Sequence, residues 1–166
     1  KDKINILYIF DLNLNFKKIS KILNELNMKK TIHIFVKLKP QAIETKWDIF
    51  LKKKNIKYFK FETLDQINKK IKFDYFIATI STAILESTLY DAIPLKLNTS
   101  NDFADDLIQD KVVFKVNNLS DIIKITRDQA SKKYFNRIFR KVWGFKKYNS
   151  NNIKKILSKY FYTIKS

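Results

Sequence analysis

The sequence predicts an α/β fold: a three-layer sandwich with a mostly parallel sheet, closed by helices at the C-terminal end. Three observations lead there. Short apolar runs alternate with amphipathic runs from Ile4 to Val116. The short runs are apolar throughout, as strands covered on both faces are, instead of alternating apolar and polar. The segments between them carry apolar residues at helical intervals and are long enough to cross over a sheet.

Taken in order, Ile4 to Phe10 is a buried-strand pattern. Phe16, Ile19, Ile22, Leu23 and Leu26 then recur at the spacing of one helical face. Ile32 to Leu38 is a second strand that stops before Pro40. Ile43, Trp47, Phe50 and Leu51 mark a second helix, and Ile56 to Phe61 a third strand. Leu64, Ile67 and Ile71 outline a short helix, and Phe73 to Ile80 is the most apolar strand. Ser81 to Asp91 reads as a helix closed by Pro94, followed by short strands at Leu95 to Leu97 and Val112 to Val116. This order is Rossmann-like. It divides the chain into a nucleotide-binding-type domain, residues 1–126, and a basic helical extension, residues 127–166.

The extension is set apart by charge. From Arg127 onward twelve lysines and arginines face one acid, Asp128. Phe135, Ile138, Phe139, Val142 and Trp143 fall on one helical face, with Gly144 where a C-cap is expected. The whole chain of 166 residues carries a net charge of +18, which draws polyanions of several kinds: nucleic acid, anionic lipid or phosphorylated substrates. Its bias to Lys, Ile and Asn also suits an AT-rich genome, which weakens charge as an argument for function.

Composition excludes several chemistries. One glycine rules out every Gly-rich phosphate loop. With no cysteine there are no disulfides, thiolate metal sites or cysteine nucleophiles, and one histidine builds neither a His-based metal cluster nor an obvious Ser-His triad. No metal site and no cofactor is expected. No run of about 18 apolar residues occurs, so no membrane span is expected. The chain opens at Lys1 without a signal-peptide pattern and without an initiator Met, and reads as a trimmed fragment of a cytoplasmic protein.

In open parallel sheets, ligands bind beyond the carboxyl ends of the strands. Ser81 and Thr82 follow the fourth strand at a helix start, where hydroxyls, backbone N–H groups and the helix dipole can hold an anion without glycine. The plainer reading is N-capping. Glu86 is read as a capping-type partner rather than a ligand contact. Lys37 and Lys39 end the second strand two residues apart and so project to one side, where two ammonium groups can stabilise a departing phosphate. The plainer reading is solvated surface lysine. Glu62, at the end of the third strand, can accept two ribose hydroxyls or favour a helix dipole. His33 reads as a packed or hydrogen-bonded strand residue. Asp102, Asp105 and Asp106 have no EF-hand order and read as a solubilised loop.

Together these motifs resemble the C-terminal, donor-binding half of bacterial GT-B glycosyltransferases. The nearest pattern is the sialyltransferase and polysialyltransferase group, with its Lys-x-His-Pro motif and later Ser-Ser/Thr pair. Lys37-Leu38-Lys39-Pro40 stands for the first, Ser81-Thr82 for the second, and Phe61-Glu62-Thr63-Leu64 resembles the acidic segment between them. The resemblance spans roughly Ile4 to Val116. It implies that Lys39, Ser81 and Thr82 hold the phosphate of a CMP-sugar, with Glu62 toward the ribose or base. It also implies that the general base belongs to an N-terminal half that is missing here, so that this fragment does not catalyse alone. Lys39 replaces the family's His. A lysine with an ordinary pKa of about 10 is a poorer acid but a good fixed charge, so a UDP- or CDP-linked donor fits as well.

The partners so implied are a nucleotide-sugar donor, a surface glycan or glycolipid acceptor and the missing half. The basic tail helix suits packing against that half or an anionic face of the inner membrane. A nucleic-acid-binding module is a second reading. No RNP, KH or zinc-finger pattern supports it, and most aromatics fall on core positions. A non-catalytic Rossmann-like interaction domain is a third, favoured by Lys39 in place of His.

Overall fold

The structure, a computed structural model, describes residues 3–10, 15–42, 45–79, 81–98, 105–125, 134, 136, 137, 140 and 142. Among the described residues six strands form one sheet: β1 (Ile4–Ile9), β2 (Ile32–Lys37), β3 (Lys57–Phe59), β4 (Tyr75–Ala78), β5 (Ile93–Leu97) and β6 (Phe114–Val116). Their order across the sheet is β3-β2-β1-β4-β5-β6, and every neighbouring pair is parallel. The fold is thus the expected α/β sandwich of Rossmann-like type.

The helices form where capping and periodicity agree. Asn15 caps α1 (Phe16–Asn27), which buries Ile19, Leu23 and Leu26. Thr45 caps α2 (Lys46–Lys53), which buries Trp47 and Leu51. Thr63 and Gln66 exchange hydrogen bonds as a capping box on α3 (Leu64–Lys70), which buries Ile67. Two short helices were not expected: α4 (Asp105–Gln109) and α5 (Leu119–Lys124).

Crossover handedness sorts these elements onto two faces. Connections from β1 through β3 step one way across the sheet and those from β4 through β6 step the other, so right-handed crossovers place them on opposite sides. On one face Tyr58 of β3 donates its hydroxyl to Asp48 of α2, and Tyr75 of β4 donates to the Ile125 carbonyl just past α5 at 2.6 Å. On the other face Phe76 of β4 stacks on Tyr90, and Lys96 of β5 pairs with Asp105 of α4. The core lies between, with all four residues of β4 buried. The outermost strands, β3 and β6, are three residues long, and each exposes one lysine, Lys57 and Lys115.

Two expectations are corrected. The segment after β4 is a 3-10 helix, Thr82–Tyr90, with Ser81 as its N-cap and Asp91 in the left-handed region at φ 59°. Within it the Thr88 hydroxyl donates to the Leu85 carbonyl three residues back at 2.8 Å, and Ile84 N–H reaches the Ser81 carbonyl at 3.2 Å. Such three-residue bonding favours the tighter helix. Pro94 does not close that helix; it lies inside β5. The Ile93 N–H points to β4, where it meets the Asp74 carbonyl at 2.9 Å, so the Pro94 nitrogen faces the other side. There β6 pairs only from Leu95 onward, and no ladder bond is lost.

The predicted tail helix falls mostly outside the described residues, including Phe135, Ile138, Phe139, Trp143 and Gly144. Tyr134 is buried against Phe114 of β6, with its hydroxyl on the Val112 carbonyl at 2.9 Å, and Val142 packs on the core.

Candidate functional site at the carboxyl edge of the sheet

Strand order reverses between β1 and β4, so the crevice that such folds use for ligands opens at the carboxyl ends of those two strands. The nominated residues lie along this edge. Lys37 ends β2, in register with Ile9 of β1 and Phe59 of β3. Lys39 and Pro40 follow directly, and Glu62 follows β3. Ser81 follows β4. β1 stands between β2 and β4, so the two groups of residues are two strand spacings apart, about 10 Å.

Lys37 and Glu62 come together because β2 and β3 are parallel neighbours. The Lys37 ammonium donates to the Leu38 and Lys60 carbonyls, both at 2.8 Å, clamping the ends of the two strands. Burial pushes its pKa down, and the Glu62 carboxylate works against that shift. Glu62 itself is held below the usual carboxylate range, chiefly by its own backbone N–H, with Phe61 N–H, the Lys70 charge and Lys60 N–H helping and burial opposing. Glu62 is a charged acceptor set in its own turn.

Lys39 is half-buried, and its carbonyl accepts from Ala42 N–H at 2.9 Å. That bond closes the Pro40–Ala42 3-10 turn, in which Pro40 is exposed. The ring of Pro40 fixes the turn's entry and holds Lys39 extended. Ser81 accepts from Ala83 N–H through its hydroxyl at 3.4 Å, a weak cap that leaves the oxygen able to turn toward a ligand. Thr82 opens the 3-10 helix; its side chain lies outside the described residues. The third helical residue after Ser81 is Ile84, so Glu86 sits too far along to complete a capping box. It is half-buried, and burial raises its carboxyl pKa. His33 lies at the opposite, amino edge, where its Nε2 is 3.0 Å from the Lys3 ammonium.

Two features escaped the sequence reading. The first is Lys96, fully buried in β5 with its ammonium 3.2 Å from Asp105. Lys96 pairs with Ala78 and Lys115, and Lys37 with Ile9 and Phe59. The Tyr8–Ile77 pair one position earlier ties these rows together. Lys37 and Lys96 therefore project to the same face at the same height, separated by Ile9 and Ala78. The only cue was a single charge inside Ile-Pro-Leu-Lys-Leu, where a buried lysine demands a partner. That partner is Asp105, which had read as a solubilising residue.

The second is the end of β1, the switch point itself. There the Asn15 side chain caps α1 by accepting from Lys18 N–H at 3.1 Å. The Lys18 ammonium reaches the Asn98 carbonyl beyond β5 at 3.0 Å. Asn98 in turn donates to Asn117 beyond β6 at 2.6 Å, so the edge is cross-tied on that side.

The edge thus offers lysines and a carboxylate acceptor on the β2 side of the switch point and a hydroxyl on the β4 side. That set can hold a phosphate ester and hydroxyls attached to it. Among the described residues no group of three or more His, Asp or Glu side chains is placed to hold a metal ion. No family model matches the chain, and no curated protein or solved structure gives a significant match.

Proposed function

We propose that the carboxyl edge binds the phosphate of a nucleotide-linked sugar and that the chain is the donor-binding half of a glycosyltransferase. The observation that carries this reading is topological. The β3-β2-β1-β4-β5-β6 order sets Lys37, Lys39 and Glu62 on one side of the switch point and Ser81 on the other, along a single edge.

In this reading an acceptor hydroxyl on a surface glycan attacks the anomeric carbon. The bond from that carbon to the donor phosphate breaks, and the phosphate oxygen keeps the electron pair. Lys39, Ser81 and Thr82 stabilise the new charge. Glu62 accepts the ribose hydroxyls. The hydroxyl proton passes to an acidic base supplied by a second, N-terminal half, as the resemblance implies. CMP-sialic acid is one candidate donor. Lysine at position 39 favours charge stabilisation over proton donation, which also suits UDP- and CDP-linked sugars.

The ring-to-ring packing of Phe73, Phe76 and Tyr90 weighs against a nucleic-acid module, because stacking platforms need open rings. Among the described residues no helix is long and apolar enough to cross a membrane, and contact with an anionic membrane surface through the basic tail remains part of the proposal.

The test is thermal shift with CMP, UDP and CDP, with and without EDTA. One nucleotide should raise the melting temperature whether or not EDTA is present. Ser81→Ala/Thr82→Ala should weaken that nucleotide about tenfold, the loss of roughly one charge-assisted hydrogen bond. An unchanged shift in the double variant removes the site from this edge.

A further inference from the structure

At the opposite, amino edge of the sheet, three separate segments close a groove of about 410 Å³. Lys3 arrives just before β1, Lys29 and Lys30 lie on the turn between α1 and β2, and Lys57 opens β3. His33 and Phe35 of β2 form the floor.

The groove is built by backbone, not by chance proximity of side chains. The α1–β2 turn is closed by Lys29 N–H to the Leu26 carbonyl at 3.1 Å and Ile32 N–H to the Lys29 carbonyl at 3.0 Å. The α2–β3 turn is closed by Asn55 in the left-handed region at φ 52°, with Ile56 N–H on the Leu51 carbonyl at 2.9 Å. The Asn27 amide donates to the Lys54 carbonyl at 3.0 Å and ties the two turns together.

The chemistry of the lining has one sign. Among the described residues, four lysines and a histidine line it and no carboxylate does. Lys57 lies 5.9 Å over the Phe35 ring, which keeps its ammonium above the floor. The Lys3 ammonium is 3.0 Å from His33 Nε2. Lys3 is thus oriented and keeps two further N–H donors. Like charges lining one groove repel one another until an anion arrives, and the volume is in the range of small-ligand sites rather than of a single ion.

We infer that this groove is a second anion site, which takes a phosphate ester carrying at least two negative charges, such as linked phosphates. Compact ammonium groups donating from several directions suit tetrahedral oxyanions. The chemistry is common to a soluble oligophosphate and to a phosphorylated lipid headgroup. The site is on the far edge from the proposed donor pocket and stands independently of it.

The test uses the 166-residue chain, sodium tripolyphosphate as the soluble probe and phosphatidylcholine vesicles containing phosphatidic acid, whose terminal phosphate monoester can carry two charges, as the lipid probe, at about 0.15 M salt, where attraction between exposed charges is largely screened beyond about 8 Å. Three double variants are compared. Lys29→Glu/Lys30→Glu reverses two charges in the groove. Lys17→Glu/Lys21→Glu makes the same charge change on α1. Ser81→Ala/Thr82→Ala alters the opposite edge. We expect the groove variant alone to weaken tripolyphosphate binding, by about tenfold or more. Vesicle binding lost with the same variant assigns the phosphate to a headgroup, and binding in solution without vesicle binding assigns it to a soluble ligand. Equal losses in the two charge variants, a loss in the Ser81/Thr82 variant instead, or no binding by the unaltered chain overturns the inference.

Discussion

Asp48 shows how one side chain can organise the end of an element. It is buried in the first turn of α2, accepts the Tyr58 hydroxyl and pairs with Lys52 at 2.9 Å and Lys60 at 3.6 Å. The Tyr58 hydrogen bond, then Lys52, holds its carboxyl below the usual range, against the opposing effect of burial. A carboxyl lowered in the folded state contributes stability above its unfolded pKa of about 3.9, and that contribution is lost as pH falls through the folded value. Asp48→Asn should therefore lower the melting temperature near neutrality and converge on the unaltered chain in acid. Melts between about pH 7 and about pH 2 check this; a gap that stays constant with pH would rule out the ionised carboxylate as the cause. Lys37 and Lys96 carry the complementary lesson. Lysines at the ends of buried strands are held by carbonyls or a carboxylate rather than by water. Composition alone made every lysine look solvated. Only strand register revealed which were not.

At the scale of elements, the strands were legible because strands covered on both faces are apolar without interruption, as Tyr75–Ala78 is. The α1 stripe was legible for the matching reason, three buried residues at helical spacing. The 3-10 helix was not, since periodicity over nine residues separates 3.0 from 3.6 residues per turn poorly and the Thr88 back-bond is a tertiary-level detail. Pro94 misled because its permissibility depends on where a neighbouring strand begins. The amino-edge groove had no local pattern to find, as its lysines come from three distant segments. Turns also do their work here with almost no glycine: Asn55, Asp91 and Lys111 all take positive φ. Asn and Asp tolerate that region, but a lysine at φ 55° is strained. Lys111→Gly should stabilise the chain by about 0.5–1 kcal/mol, the relief of that strain less glycine's added unfolded-state freedom. Urea denaturation reads the change directly. A destabilised variant would mean that the Lys111 side chain, and not its backbone alone, holds the turn against α4.

Across the whole molecule, the carboxyl-edge rule placed the nominated residues on one rim before any coordinates, because it depends only on strand direction. What it did not supply was the rim's order. The sequence reading therefore missed the start of the list, the β1 end, where the reversal occurs. The two rims now have different characters. One mixes cations, a carboxylate and a hydroxyl; the other gathers lysines around a histidine.

The outer strands have a consequence for how molecules of this chain meet. A sheet with free margins invites a further strand from another copy, and continued addition leads to fibres. Among the described residues each margin offers three residues and one exposed lysine, Lys57 on one side and Lys115 on the other. Burying either charge against a second chain would cost more than so few ladder bonds return. Lys57→Val/Lys115→Val should consequently speed thioflavin-positive aggregation on mild heating while the melting temperature of the monomer changes little, and light scattering that does not rise in that variant would mean the margins are guarded by their shortness alone.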